Sequence, residues 1–225
     1  MFTRFCDILF SGLAIAGLSP LLVPIIIVLL STGEGKVFFR QERVGKGMKP
    51  FRLLKFATMF ENSPNIGTGT ITTKNDPRIL PVGRLLRKTK INELPQLLNI
   101  FLGDMSIIGP RPLTNETFSF YPRQTQSSIS LVRPGLSGMG SIVFRNEEEI
   151  IQTQGNAKEF YASEVAPYKG ELEEWYVSKR NIILYFVLII LTAWVVVFSK
   201  SKMVWKIFKT LPKPPSSLSA DLSYE

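Results

Sequence analysis

Two long apolar runs flank a chain whose middle is polar and cationic. The first run, Ile8 to Thr32, has no charged residue over 25 positions. That is enough helix to cross a hydrocarbon core of roughly 30 Å. It does not have the pattern of a cleavable leader: it is too long, Asp7 stands where positive charge is expected, and no clean small-residue site follows. Pro20 and Pro24 interrupt it, with Ser19 before the first. Proline lacks a backbone donor and crowds the carbonyl four residues back, so the pattern predicts a kink or break at Ser19–Pro20. The Ser19 hydroxyl is placed to satisfy a freed backbone group. A kinked spanning helix and a helix-break-helix hairpin both fit this pattern. The second run, Ile182 to Phe198, is 17 residues, at the short end for a span. Lys179 and Arg180 precede it and Lys200, Lys202, Lys206, Lys209 and Lys213 follow. The positive-inside rule wants both flanks on one face. So the segment dips in and returns, lies in the interface, or crosses against the charge bias. From Val204 to Lys209, Trp205, Ile207 and Phe208 mix with two lysines, as in an interfacial segment. The Pro/Ser-rich stretch from Pro212 onward predicts a disordered tail.

Between the runs, short elements are expected. Lys36–Gln41 is Val/Phe-rich and strand-like; Gly45, Gly47 and Pro50 mark a hairpin turn, and FRLLKF resumes an extended pattern. NIGTGTITTKND, residues 65–76, is a Gly-rich loop. Pro81 opens a basic helix, VGRLLRK. A second helix, ELPQLLNIFLG, is expected after Asn92, with Asn92 as its N-cap and Gly103 as its C-terminal stop. MSIIG leads into Pro110-Arg111-Pro112, and the Gly/Pro density of LVRPGLSGMGSIVFR suggests linked short strands. The sum is an α+β chain with no internal repeat.

Composition then limits the chemistry. The 225 residues carry 27 Lys+Arg against 18 Asp+Glu, one cysteine (Cys6) and no histidine. Histidine-based nucleophile pairs, internal disulfides and cysteine zinc sites are excluded. Carboxylates, Lys, Arg, hydroxyls or backbone must carry any reaction. The net charge of +9 calls for an anionic partner. Seven cations lie between Lys36 and Lys55 with one acid, Glu42, and six between Lys74 and Lys90 with only Asp76. A basic surface resting on anionic lipid and a phosphate-binding cleft facing it are compatible readings. Nucleic acid is not expected: the membrane segments argue against it and no groove-reading or base-stacking motif is present.

The stretches FFRQERVGKGMKPFRLLKFATM, NDPRILPVGRLLRKTKINELPQLLNIFLGDMSIIGPRPL and LVRPGLSGMG resemble the monotopic phosphoglycosyl transferases, the bacterial sugar transferase family. The resemblance runs from about Met1 to about Val177. It implies transfer of a sugar-1-phosphate from a nucleotide-sugar donor, a UDP-sugar, to a polyprenyl phosphate acceptor such as undecaprenyl phosphate. That step initiates O-antigen, capsule, exopolysaccharide or glycoprotein glycan assembly at the cytoplasmic face of the bacterial inner membrane. It also implies a membrane-embedded, re-entrant N-terminal helix-break-helix over 1–33, broken at Ser19-Pro20. A small cytoplasmic transferase domain with short strands and amphipathic interfacial helices would follow over 34–181. A membrane-associated segment, 182–209, and the tail, 210–225, complete the expected organisation. Oligomeric state is left open.

In this family an Asp-Glu pair at a helix start does the chemistry, assisted by magnesium. The Asp attacks the diphosphate, a covalent phosphosugar-enzyme forms, and the lipid phosphate takes the phosphosugar. Here the pair is Asn92-Glu93. An amide is a poor substitute for a carboxylate nucleophile. Three readings follow: a subgroup that uses Glu93 or direct displacement, an Asp-to-Asn inactivated variant, or a catalytically silent homologue that binds nucleotide sugar or a partner enzyme. As an ordinary cap and first-turn acid, the two residues would also be explained without chemistry. Glu93 is the expected magnesium ligand. Lys55, Arg87 and Arg111 match the family's phosphate-neutralising cations, although Ala57 replaces the arginine usual after Lys-Phe. A further family acid falls on Glu173.

Overall fold

The computed structural model describes residues 2–32, 34–60, 62–63, 77–152, 156–198 and 201–224. The Gly-rich loop of residues 65–76, with Lys74 and Asp76, and Lys200 lie outside them.

Helix α1 runs from Phe2 to Ser31 with Pro20 and Pro24 inside it. The expected break at Ser19–Pro20 is not there; helical residues continue through it. Pro20 has no N–H for the carbonyl of Ala16, and the Ser19 hydroxyl donates to that carbonyl instead, at 2.7 Å. The serine thus keeps the helix satisfied where the proline would have opened it. Thirty residues at 1.5 Å each give a helix of about 45 Å, with a mean hydropathy of 2.7 in its most apolar window. By length and composition it is the one described helix able to cross a membrane. Most of its apolar surface, Leu13 and Ile27 included, is uncovered by protein.

Tertiary contacts divide the chain into two units. The block 34–181, expected as one domain, is shared between them. One unit comprises residues 8–42 and 52–102. Strands β1 (Phe38–Val44) and β2 (Pro50–Phe56) form the expected hairpin. Its connection is a 3-10 turn, Lys46–Met48, in which Gly47 takes φ +67°. Helix α2 (Pro81–Lys88) starts at its proline, as expected. Helix α3 spans Gln96–Leu102 and stops at Gly103, whose φ of +108° suits glycine. Leu29, Phe56 and Leu86 form this unit's core. Gly83 lets α2 lie on the chain after β2: a Cβ there would meet the Thr58 carbonyl oxygen at 2.2 Å.

The other unit comprises residues 1–7, 43–51 and 103–225. Strands β3 (Ser106–Ile108) and β4 (Gly135–Ser137) pair in parallel, Ser106 opposite Gly135 and Ile108 opposite Ser137. Short helices α4 (Asn115–Ser119) and α5 (Arg123–Ile129) lie between them in sequence. The strands expected after β4 are replaced by helix α6 (Met139–Val143). The glycines that suggested strands serve close packing instead: a Cβ on Gly140 would sit 2.6 Å from a Glu173 oxygen. Helices α7 (Glu147–Gln152) and α8 (Ala157–Phe160) follow. A π-turn (Tyr161–Val165) then runs into α9 (Ala166–Lys179). Helix α10 (Ile182–Val197) is N-capped by Asn181, whose side-chain oxygen accepts from Leu184 N–H at 2.8 Å. Leu172, Tyr185 and Leu188 help to fill this unit's core.

The residues after Pro212, expected to be disordered, are packed. Helices α11 (Met203–Ile207) and α12 (Ser216–Ser219) bring Leu211, Leu218 and Leu222 into the same core. The Tyr168 hydroxyl donates to the Pro212 carbonyl and the Trp205 indole to that of Leu222. Composition misled because three leucines spaced among the prolines and serines supply enough burial to anchor the segment.

Candidate active site

The Asn92–Glu93 pair lies in a turn, not at a helix cap. Lys90 takes the left-handed conformation at φ +59°, and Ile91–Glu93 close a 3-10 turn. Tight three-residue bonds continue through Leu94 and Pro95 before α3 begins at Gln96. The expected N-cap role of Asn92 is therefore corrected. Its side chain is buried, and its Oδ1 has no hydrogen-bond partner. Such an orphaned acceptor is costly unless something else fills its lone pairs. Glu93 points to partly open surface, where the Lys55 Nζ donates to its Oε1 at 3.3 Å.

Asn99 sets up that pair. Its amide donates to the Arg52 carbonyl and its carbonyl accepts from Leu54 N–H, both at 2.9 Å. Two bonds from a buried side chain thus lock β2 to α3 and hold Lys55 within reach of Glu93. Arg87, in the last turn of α2, is half-buried with its guanidinium toward Met59 Sδ. This unit accordingly brings together Lys55 and Glu93, with Asn92 adjacent in sequence.

Arg111 and Glu173 belong to the other unit. Arg111 is exposed on the Pro110–Pro112 turn, which is fixed at both ends. Gly135 N–H donates to the Pro110 carbonyl at 2.8 Å and Arg43 to that of Pro112 at 3.1 Å. Glu173 is buried on α9, and no other side chain hydrogen-bonds its carboxylate. Burial raises its pKa to about 7, opposed by Lys169, by the N–H groups of Arg111 and Gly140 and by the Arg111 charge.

Lys169 lies one helical turn earlier, also buried, and donates to Glu147 Oε2 at 2.7 Å. Burial pushes the Glu147 carboxyl up, but Lys169 and Arg111 outweigh it and the net direction is down. Sequence reading passed over Lys169 and Glu147. A signal existed: Lys169 is four residues before Glu173 in a helix otherwise rich in acids, so the two share a face. Among the described residues, no three carboxylate or thiol groups cluster as a metal site.

A family profile described as bacterial sugar transferase matches residues 1–199. The chain belongs to the bacterial sugar transferase family. It is 39% identical over 142 residues to the UDP-N-acetylgalactosamine-undecaprenyl-phosphate N-acetylgalactosaminephosphotransferase of Aeromonas hydrophila, covering 62% of this chain and 33% of that protein. It is 35% identical over 158 residues to the exopolysaccharide production protein ExoY of Sinorhizobium fredii, covering 64% and 70%. Against the UDP-glucose:undecaprenyl-phosphate glucose-1-phosphate transferase of Klebsiella pneumoniae the identity is 37% over 146 residues, covering 63% and 31%. The chain thus spans only about a third of two of these relatives. The bacterial sugar transferase match stops before α11 and α12, so the packed C-terminal segment lies beyond the family's shared region.

Proposed function

We propose that the chain transfers a sugar-1-phosphate from a UDP-sugar to undecaprenyl phosphate, initiating assembly of a bacterial surface glycan. The observation that carries this reading is the family match over residues 1–199. The Lys55–Glu93 pair supports it, because a carboxylate and a cation stand 3.3 Å apart at the residue that follows Asn92. Glu93 takes the carboxylate role that Asn92 lacks. Its oxygen attacks the sugar-bound phosphorus, the bond to the bridging oxygen breaks, and UMP leaves. An oxygen of the lipid phosphate then attacks the same phosphorus and returns the carboxylate. Lys55 holds Glu93 in place, and Arg87 of the same unit neutralises diphosphate oxygens. The Glu93 carboxylate and Asn92 Oδ1 are hard oxygen donors that suit magnesium, whose other ligands would be substrate phosphates and water. When bound, magnesium supplies charge neutralisation at those phosphates.

The working site faces the cytoplasm, and α1, helical throughout but bent by its two prolines, keeps both ends on that face rather than crossing. Two features support this. Asp7, near the start of α1, accepts hydrogen bonds from the Ser106 hydroxyl, Ile107 N–H and the Tyr185 hydroxyl. The other end of α1 runs into the basic hairpin. Both ends thus continue into folded polar chain, which a single crossing would have to divide between two faces of the membrane.

The test is purified protein in nanodiscs with magnesium, a panel of UDP-sugars and undecaprenyl phosphate. UMP release dependent on the lipid is expected, falling at least ~100-fold in Glu93→Gln. Silence with every donor, together with turnover in Asn92→Asp, would overturn the reading and identify a binding homologue.

A further inference from the structure

An open cavity of about 390 Å³, lined by none of the site residues assigned above, lies within the unit that holds α9 and α10. Three cations line it: Lys46 from the hairpin turn, Arg133 from the segment before β4, and Arg180 from the α9–α10 junction. Each is held by local structure. Gly47 N–H donates to the Ser130 carbonyl at 2.7 Å and fixes the turn that carries Lys46. Arg133 Nε donates to the Gly103 carbonyl at 2.7 Å. Arg180 sits in extended backbone immediately after α9.

One carboxylate, Asp7, also lines the cavity, but its Oδ1 already accepts from Ser106, Ile107 and Tyr185. The Tyr176 hydroxyl donates to the Ile108 carbonyl. The charged lining therefore has an excess of two positive charges, three cations against one acid.

The lining also carries exposed hydrocarbon. Leu131 lines the cavity at 62% exposure. Ile182, at the start of α10, is a second partly exposed apolar residue of the lining. A cationic hollow with exposed hydrocarbon in its lining suits an amphiphile with an anionic head. A free nucleotide would leave that hydrocarbon uncovered, and a wholly apolar ligand would leave the cations without a counter-charge.

We propose that this cavity holds the phosphate headgroup of an anionic membrane lipid, whose chains leave it over Leu131 and Ile182. The site is independent of the transferase reading, since none of its residues belongs to the Asn92–Glu93 turn. A phospholipid diester and a polyprenyl phosphate monoester share the chemistry, and the experiment separates them.

Detergent-solubilised full-length protein is offered phosphatidylglycerol, undecaprenyl phosphate, phosphatidylcholine or inorganic phosphate, and bound ligand is counted by native mass spectrometry. Wild type should retain one phosphatidylglycerol or one undecaprenyl phosphate; whichever binds tighter names the source. The double variant Lys46→Gln/Arg180→Gln should lose roughly thirtyfold in affinity for it, two cations' worth of attraction to an anionic lipid. Phosphatidylcholine retention should be weak and the same in both proteins. Lys46→Arg/Arg180→Lys, which keeps the charge, should retain the lipid; both pairs are exposed and their melting temperatures serve as the folding control. Equal anionic-lipid retention by wild type and the double Gln variant would overturn the proposal. So would inorganic phosphate binding as tightly as either lipid.

Discussion

Glu173 is the residue whose environment has the clearest consequence in solution. It is buried on α9, with a folded pKa raised to about 7 from an ordinary value of 4.5. Because the folded value lies above the unfolded one, folding favours the protonated acid. Its contribution is complete below about pH 4.5 and is lost as pH rises to about 7, after which stability no longer changes from this source. The difference amounts to roughly 3 kcal/mol. Glu173→Gln should therefore flatten the fall in stability between pH 4.5 and 7 and leave the protein more stable than wild type at pH 8, as read by denaturant midpoints. A wild-type curve that is flat over that window would contradict the assignment. The residue itself was legible from family resemblance, but its state was not. The four-residue spacing from Lys169 was there to be read, but the approach of Gly140, distant in sequence, cannot be recovered from local sequence alone. Asn92 gives the opposite lesson. Its departure from the family pair is plain in the sequence, whereas only the structure places it in a 3-10 turn with an unpartnered oxygen.

At the scale of elements, strong local signals were legible and tertiary rescue was not. The hairpin, the proline start of α2 and the glycine stop of α3 follow from turn and cap chemistry, which acts over a few residues. The unbroken α1 depends on one hydroxyl standing in for a missing N–H, and the packed tail depends on leucines meeting a distant core. The tail can be tested directly. Leu218 in α12 is fully buried, so Leu218→Ala should cost about 2–5 kcal/mol, the usual range for a buried leucine. It should also expose the chain after Pro212 to limited proteolysis. An unchanged melting temperature and a tail already cut at the wild-type rate would show that the C-terminal residues contribute no folding energy.

For the whole chain, the decisive question is how its apolar surface meets the bilayer. Helix α10 is apolar on two faces. Leu184, Leu188, Leu191 and Val195 face the core, while Ile183, Ile190 and Val197 face outward at seven-residue spacing and about 70% exposure. A spanning helix packed along one side of a polar domain would drag that domain's buried groups into hydrocarbon. These include Tyr176, which bonds the Ile108 carbonyl, and Thr192, which bonds Ser137. Sixteen residues also give only about 24 Å of helix, short of the hydrocarbon thickness. Lying in the interface keeps the core face on protein, the outer face in lipid and the lysines on both flanks with the headgroups. This arrangement predicts that Ser178 and Lys202, exposed before and after α10, share one side of the membrane. In a Cys6→Ala background, Ser178→Cys and Lys202→Cys should both react with an impermeant maleimide in inside-out vesicles and both resist it in intact spheroplasts. Labelling from opposite sides would mean that α10 crosses the bilayer despite its packing, and the interfacial arrangement would fail.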